Sequence, residues 1–279
     1  MQSQSPERSL VPAAARDGRL HVVITGASAG IGEAVAREYG RAGAALTLVA
    51  RRKGNLERIA AETGAETYVV EADLGDVEHA TDWLPEAERR LGPVDVLVNN
   101  AGVQIIANAV DCDTKRCEDM LRLNVMTPLR LTRAVLPGMI ARGRGAIVDI
   151  ASMAALTPMP GMFYYNASKA ALGNASEGLR GELRHTGVHV LTVYPGPVET
   201  DMARRGYEVY EPTLAARFSP VGDAAELARM IRRGVERRRA RIVYPRSYAV
   251  ALWFPRIARW VTARLSPPLR PADKGAPPG

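Results

Sequence analysis

The chain has little of what marks a metal centre, a disulfide scaffold or a membrane span. Two cysteines, Cys112 and Cys117, occur in 279 residues. No histidine accompanies them at ligand spacing, so no metal site is expected, and they read as two free thiols in a reducing compartment. No apolar run approaches the ~20 residues that a spanning helix needs. The first residues lack the continuous apolar core of a secretory signal. Internal repeats are absent, and there is no low-complexity tract in the middle of the chain. Together these absences lead to the expectation of a cytoplasmic protein.

What is present is ordinary in bulk and uneven in detail. The chain is 47% hydrophobic and 24% charged, and its length admits one large α/β domain or two small ones. The net charge is +7, yet from Arg229 to Arg270 twelve arginines face one acid, Glu236. That stretch is therefore +11 and the remainder −4. A nucleic-acid partner would need a recognisable reading element beside such charge, and none occurs. Residues 1–18 are polar and Pro/Ala-rich, and Ser266–Gly279 carries five prolines, so both read as disordered tails. The expected layout is a flexible tail over 1–18, a catalytic domain over 19–246, and an amphipathic extension plus tail over 247–279.

Short β-branched runs alternate with helical patterns. Strands are expected at Leu20–Thr25, Ala45–Ala50, Thr67–Glu71, Val94–Asn99, Ala146–Ile150, His189–Tyr194 and Arg241–Tyr244. Helices are expected at Ile31–Ala42, Asn55–Glu62, Val77–Leu91, Thr114–Ala141, Gly161–His185 and Ala224–Glu236. Runs such as VDVLV and GAIVDI are apolar on both faces, as in the middle of a parallel sheet covered by helices. The alternation predicts an α/β, doubly wound, Rossmann-like sheet of about seven parallel strands. A (β/α)₈ barrel shares the alternation, but the glycine-rich turn after the first strand argues against it.

That turn is Thr25-Gly26-Ala27-Ser28-Ala29-Gly30-Ile31-Gly32, opening directly into a helix. Glycines allow close backbone approach, and a helix N-terminus presents free N–H groups to a pyrophosphate. At the end of the second strand an acid would bind both ribose hydroxyls of NAD. Here Ala50-Arg51-Arg52-Lys53 stands instead, a cationic cluster suited to a 2′-phosphate, which favours NADP(H) over NAD(H). Asp73-Leu74 and Asn99-Asn100-Ala101-Gly102 follow the third and fourth strands, at the edge where open α/β sheets bind ligands.

Ser152 follows the fifth strand, and Tyr165 and Lys169 lie four apart on one helix face. Reducing a ketone requires a proton at oxygen as hydride reaches carbon. A tyrosine of pKa about 10 can serve if a nearby ammonium stabilises the phenolate, while a serine hydroxyl holds the substrate oxygen.

With these residues in order, the chain resembles the compact, single-domain branch of the short-chain dehydrogenase/reductase family. The matching motifs are TGASAGIG at 25–32, Asp73, NNAG at 99–102, Asn124 in LNV, Ser152, YNASK at 165–169 and PGPVET at 195–200, spanning about 20–245. The resemblance implies Tyr165 as general acid or base and Lys169 as the group that lowers its pKa and holds the nicotinamide ribose. Ser152 would orient the carbonyl, and Asn124 would support a water linking Lys169 to solvent. It also implies Gly26, Gly30 and Gly32 at the pyrophosphate, Asp73 at the adenine and Asn100 along the adenosine. Pro195, Gly196, Val198 and Thr200 would cradle the carboxamide, and Arg51 and Arg52 the 2′-phosphate. Ala29 departs from the pattern, standing where some NADP users carry a second basic residue. Family members form homodimers or homotetramers through the two long helices, and the same is expected here.

Beyond Thr200, Met202, Tyr207, Tyr210, Leu214 and Phe218, with Met153, Leu156, Met159 and Met162 after Ser152, would line an apolar pocket or simply pack a lid. After Pro255, Ile257, Val261 and Leu265 share a helical face with Trp260 at its edge, opposite Arg256, Arg259 and Thr262. Such a face suits peripheral contact with an anionic inner membrane surface, or packing on the domain or a partner subunit. The expected activity is hydride transfer between nicotinamide and a small-molecule carbonyl or secondary alcohol, of apolar or lipid-like character. Two rival readings are a Rossmann epimerase or dehydratase and a non-enzymatic NADP-binding sensor or scaffold. Only 79 residues follow Thr200 to build the larger substrate domain of the first, and the intact Ser152, Tyr165 and Lys169 set argues against the second.

Overall fold

The computed structural model describes residues 18–211 and 220–270. The expected N-terminal tail up to residue 17, the last nine residues, Leu214 and Phe218 lie outside the described residues. Seven strands form one parallel sheet: β1 His21–Thr25, β2 Ala45–Ala50, β3 Thr67–Glu71, β4 Val96–Asn99, β5 Gly145–Ile150, β6 Val188–Pro195 and β7 Arg241–Tyr244. Their spatial order is β3-β2-β1-β4-β5-β6-β7, the doubly wound arrangement. The direction of winding reverses between β1 and β4, and that crevice sets where a ligand fits.

Strand apolarity on both faces follows from burial between two helical layers. Val22 and Ile24 of β1, Val96 and Val98 of β4, and Leu191 and Val193 of β6 enter one core, covered by α1 (Gly30–Arg41) and α2 (Lys53–Thr63). The alternate residues Val23, Leu97 and Val190 enter the other, with α3 (Leu84–Leu91) and residues Leu131, Val135 and Met139 of the long central helix. A one-residue register slip would exchange the two sets.

Several sequence expectations change in detail. The helix expected from Val77 begins only at Leu84, after a series of turns. The helix over 114–141 is α4 (Thr114–Leu121) and α5 (Thr127–Ala141), joined by a π-helical turn, Arg122–Met126. Cys112 and Cys117 are joined in a disulfide rather than free. Asp113 accepts the Arg116 N–H and caps α4, turning the chain so that the residue before the cap meets the helix's own first turn. The cytoplasmic expectation thereby loses the support that free thiols lent it.

The chain continues through α6 (Phe163–Glu182), α7 (Asp201–Glu208), α8 (Ala224–Glu236), the short α9 (Val250–Trp253) and α10 (Pro255–Leu265). Residues 266–270, expected as part of a disordered tail, return to pair with the end of α7: Tyr210 and Leu269 form an antiparallel bridge. Among the described residues no helix is long and apolar enough to cross a membrane.

His21, at the start of β1, is fully buried, with Nδ1 2.7 Å from the Gly92 carbonyl and Nε2 2.8 Å from Thr47 Oγ1. The carbonyl can only accept, so Nδ1 carries the proton and Nε2 receives the Thr47 hydroxyl. Burial lowers its pKa to about 4, against the partial support of Gly92, and burial likewise lowers His189 to about 4. Between about pH 6.5 and 4 the unfolded chain therefore binds more protons, and stability falls as pH falls. Urea unfolding across that window is expected to show a shallower loss in His21→Gln than in the parent. Equal slopes would contradict a buried neutral imidazole.

Candidate active site

The crevice at the β1/β4 switch point is built by backbone turns locked together through side chains. Thr25 ends β1, and its Oγ1 accepts the N–H groups of Asn100 and Ala101, both at 3.0 Å, while donating to the Val98 carbonyl. Asn100 Nδ2 donates back to the Thr25 and Gly26 carbonyls at 2.9 and 3.2 Å. Gly26 takes φ +64°, a region side chains disfavour, and a Cβ there would lie 2.8 Å from Ala101 Cα. At Gly32 a Cβ would come within 2.4 Å of the Gly26 carbonyl oxygen. Helix α1 thus starts hard against the turn, with Ile31 packed on the core and Ala29 offering no side-chain cap to its first N–H groups. Uncapped helix amides facing a glycine cradle fit a pyrophosphate.

Arg52, just past β2, donates to Ser28 Oγ on this turn from NH2 at 3.0 Å and from Nε at 3.3 Å, and Asn55 Nδ2 donates to the Ser28 carbonyl. Arg51 beside it is exposed. Past β3, exposed Asp73 accepts the Gly75 N–H, and buried Leu74 gives its carbonyl to Thr127. On the far side, β6 ends at Pro195. Gly196 donates to the Tyr244 carbonyl at 2.6 Å, and Val198 is buried. Thr200 caps α7 by accepting the Ala203 N–H. A Cβ on Gly30 would lie 3.1 Å from Thr200 Cγ2, so the start of α7 stands across the glycine turn. Printed contacts aside, hydrogen bonds and close approaches thus join the glycine turn to Asn100 and Ala101, to Arg52 and to Thr200, and the chemistry of that group fits a dinucleotide.

Asn124, fully buried, sits in the π-turn, whose extra residue aims its carboxamide at the loop after β4. Oδ1 accepts the Val103 N–H at 2.9 Å, and Nδ2 donates to the Val103 carbonyl at 2.9 Å and to Ser168 Oγ at 3.1 Å. Both amide protons are used, which leaves one lone pair on Oδ1. A Cβ on Gly102 would stand 3.0 Å from that oxygen and 3.5 Å from Lys169 Nζ, so the two groups flank the same small space.

On α6, Tyr165 and Lys169 are both nearly fully buried, with Nζ 5.9 Å from the ring centroid. Lys169 donates to the Ile150 carbonyl at 2.8 Å. Burial lowers its pKa to about 8, opposed by the field of Asp149. Tyr165 is pushed up from its ordinary value by burial, and the opposing influence is a hydrogen bond with Ser152. Lys169, expected from the sequence to lower the phenol's pKa, stands beside the Tyr165 ring while its ammonium donates to a backbone carbonyl. Ser152 also accepts the Ala154 N–H at 3.1 Å, which fixes its rotamer.

Two features lack a motif. Asn99 Nδ2 bridges Thr132 Oγ1 and Asp149 Oδ1 at 3.0 and 2.8 Å, tying β4, α5 and β5 behind Lys169. The residues expected as a pocket lining also divide. Met153 and Leu156 pack beneath the C-terminal extension with Tyr248, Ala251 and Ala258. Met159, Met162 and Tyr210 cluster with Tyr165, Ile105 and Ile106, and Tyr210 donates to the Pro160 carbonyl. Met202 and Tyr207 on α7 are exposed. Polar spacing signals none of this, because it depends on which side of the site the extension lands.

The short chain dehydrogenase family profile matches residues 20–210. A very-long-chain 3-oxoacyl-CoA reductase of Anas platyrhynchos is 37% identical over 191 residues, covering 65% of this chain and 61% of that protein. The chain spans about three fifths of the length of the first curated relatives it matches, 60% and 61%. A fatty acyl-CoA reductase of Mycobacterium tuberculosis is 35% identical over 249 residues, covering 87% of this chain and 82% of its own. Among solved structures, an actinorhodin polyketide ketoreductase with NADPH superposes with a TM-score of 0.74 at 29% identity, covering 81% of this chain and 95% of that one. On the profile match, the shared sheet order and the cleft just described, the chain belongs to the short-chain dehydrogenase/reductase family.

Proposed function

We propose that the protein is an NADP(H)-dependent carbonyl reductase or alcohol dehydrogenase acting on an apolar, lipid-like substrate. The observation that carries the reading is that Tyr165 and Lys169 lie together, nearly fully buried, on α6. A Ser152 hydrogen bond bears on the phenol, and Asn124 Oδ1 flanks the same space as Lys169 Nζ. When bound, the cofactor supplies or accepts hydride at the substrate carbon. Tyr165 donates its proton to the carbonyl oxygen, and Ser152 holds that oxygen and shares the developing charge. Lys169, poised near pH 8, resupplies the proton through the space it shares with Asn124 Oδ1. Gly26, Gly30 and Gly32 would hold the pyrophosphate, Asp73, Leu74, Asn100, Ala101 and Gly102 the adenosine side, and Pro195, Gly196, Val198 and Thr200 the carboxamide. Arg52, placed on Ser28, and Arg51 would pair with the 2′-phosphate.

The apolar cluster beside Tyr165 supports a lipid-like substrate, as do the acyl-CoA reductase names of the relatives. A concavity of about 820 Å³ on the outer face of α5 and α6, with half-exposed Leu129 and Ile140 on its rim, supports docking of a second copy. Trp253, Phe254, Ile257, Trp260 and Leu265 are all more than half exposed, beside Arg256, Arg259 and Arg264 and with no acid from residue 237 to 270. That chemistry suits an anionic bilayer.

Tyr165→Phe is expected to keep NADPH binding and lose ketone reduction by about 10²–10⁴-fold. In the same titrations Arg52→Ala weakens NADPH about tenfold or more and leaves NADH unchanged. An equal loss for both cofactors would overturn the 2′-phosphate assignment, and turnover surviving in Tyr165→Phe would overturn the chemistry. Co-sedimentation with phosphatidylglycerol vesicles, and its loss in Trp253→Ser/Trp260→Ser, tests the lipid face. Equal recovery of parent and variant in the pellet would refute it.

A further inference from the structure

The segment beyond α10 reaches back to the catalytic side. Arg259 on that helix donates to the Leu156 carbonyl at 3.2 Å, which brings the extension over the loop after Ser152. Past Leu265 the chain turns and runs antiparallel to residues 209–211. Glu211 N–H donates to Pro268, Arg270 N–H to Val209, and Arg270 Nε to Tyr210, each at 3.0 Å. Between these bonds Leu269 points inward onto the apolar cluster that holds Tyr165, Met162 and Tyr210. Gly161, at φ +78°, lies directly beneath it, where a Cβ would come 2.8 Å from Leu269 Cδ2. Glycine at 161 thus makes room for a leucine that comes from 108 residues further along the chain.

Resting on the reductase reading above, we propose that residues 266–270 form a strap roofing the substrate site. Leu269 is then a specificity-determining residue that sets how large an apolar group fits beside Tyr165. The family profile ends at residue 210, so the strap comes from outside the matched segment. Its attachment is light for a core element. α7, to whose end it is bonded, has no buried residue, and its Gly206 merely approaches Gln104 and Ile106 on the loop after β4. A cover held by a few backbone hydrogen bonds can open and reclose as substrate enters. The cluster Leu269 packs against contains Met162, with Met159 at its edge, and such flexible thioethers can repack around an acyl chain.

Methyl ketones from 2-butanone to 2-dodecanone, reduced with NADPH, read the roof directly. Leu269→Ala is expected to raise kcat/KM for 2-dodecanone relative to 2-butanone about tenfold, and Leu269→Trp to shift the ratio the other way. NADPH affinity and far-ultraviolet circular dichroism stay those of the parent in both variants. An unchanged ratio in both would overturn the strap. If the parent reduces none of these ketones, the reductase reading fails, and the strap is then judged without turnover by binding of 1-anilinonaphthalene-8-sulfonate. Binding that rises in Leu269→Ala and falls in Leu269→Trp supports the roof. Binding that is indifferent to residue 269 refutes it.

Discussion

A carboxamide sealed from water must find partners inside the protein, since each polar atom left alone costs about 1–3 kcal/mol. At Asn124 that requirement organises the reaction end of the cleft. One side chain holds both backbone polar groups of Val103, so the loop after β4 cannot drift. It also donates to Ser168, which itself donates to the Tyr165 carbonyl, so the same amide fixes the turn of α6 carrying the phenol. The π-turn is what lets one side chain reach both elements. A regular helix from 114 to 141 would rotate residue 124 by part of a turn relative to α4 or to α5.

The cofactor end rests on a different device. Thr25 and Asn100 exchange hydrogen bonds across the β1/β4 switch point, so the glycine turn and the loop after β4 move as one body. Asn124 grips the same loop three residues further on. Hydrogen bonds thus run from the glycine turn to α6 through residues 100–103, and on the proposed reading that frame would hold hydride donor and proton donor together. The outer cover, α7 and the strap, is tied less tightly. In the proposed reading, a rigid base beneath a movable strap would admit a varied apolar group while the chemistry stays fixed.

The parts legible in the sequence are those dictated by backbone geometry and local spacing. TGASAGIG encodes a turn only glycine can make, YNASK places two groups on one helix face, and two-face apolar runs encode buried parallel strands. Asn124 was legible as a residue but not in its π-turn, because no composition rule marks one extra residue in a helix. The disulfide was hidden for a related reason, since a five-residue spacing bridges only when a cap such as Asp113 turns the chain. Leu269 was least visible of all. It sits between prolines in what reads as a tail, and its role arises from contacts with residues 161 and 210.

The claim that Asn124 unites loop and catalytic helix is tested most directly by replacing it with leucine. Hydrogen exchange at the Val103 amide would be followed alongside ketone reduction. The account predicts that Val103 loses protection and turnover falls at least tenfold, while NADPH binding stays within a few-fold of the parent. Full turnover with an unprotected Val103 amide would contradict it.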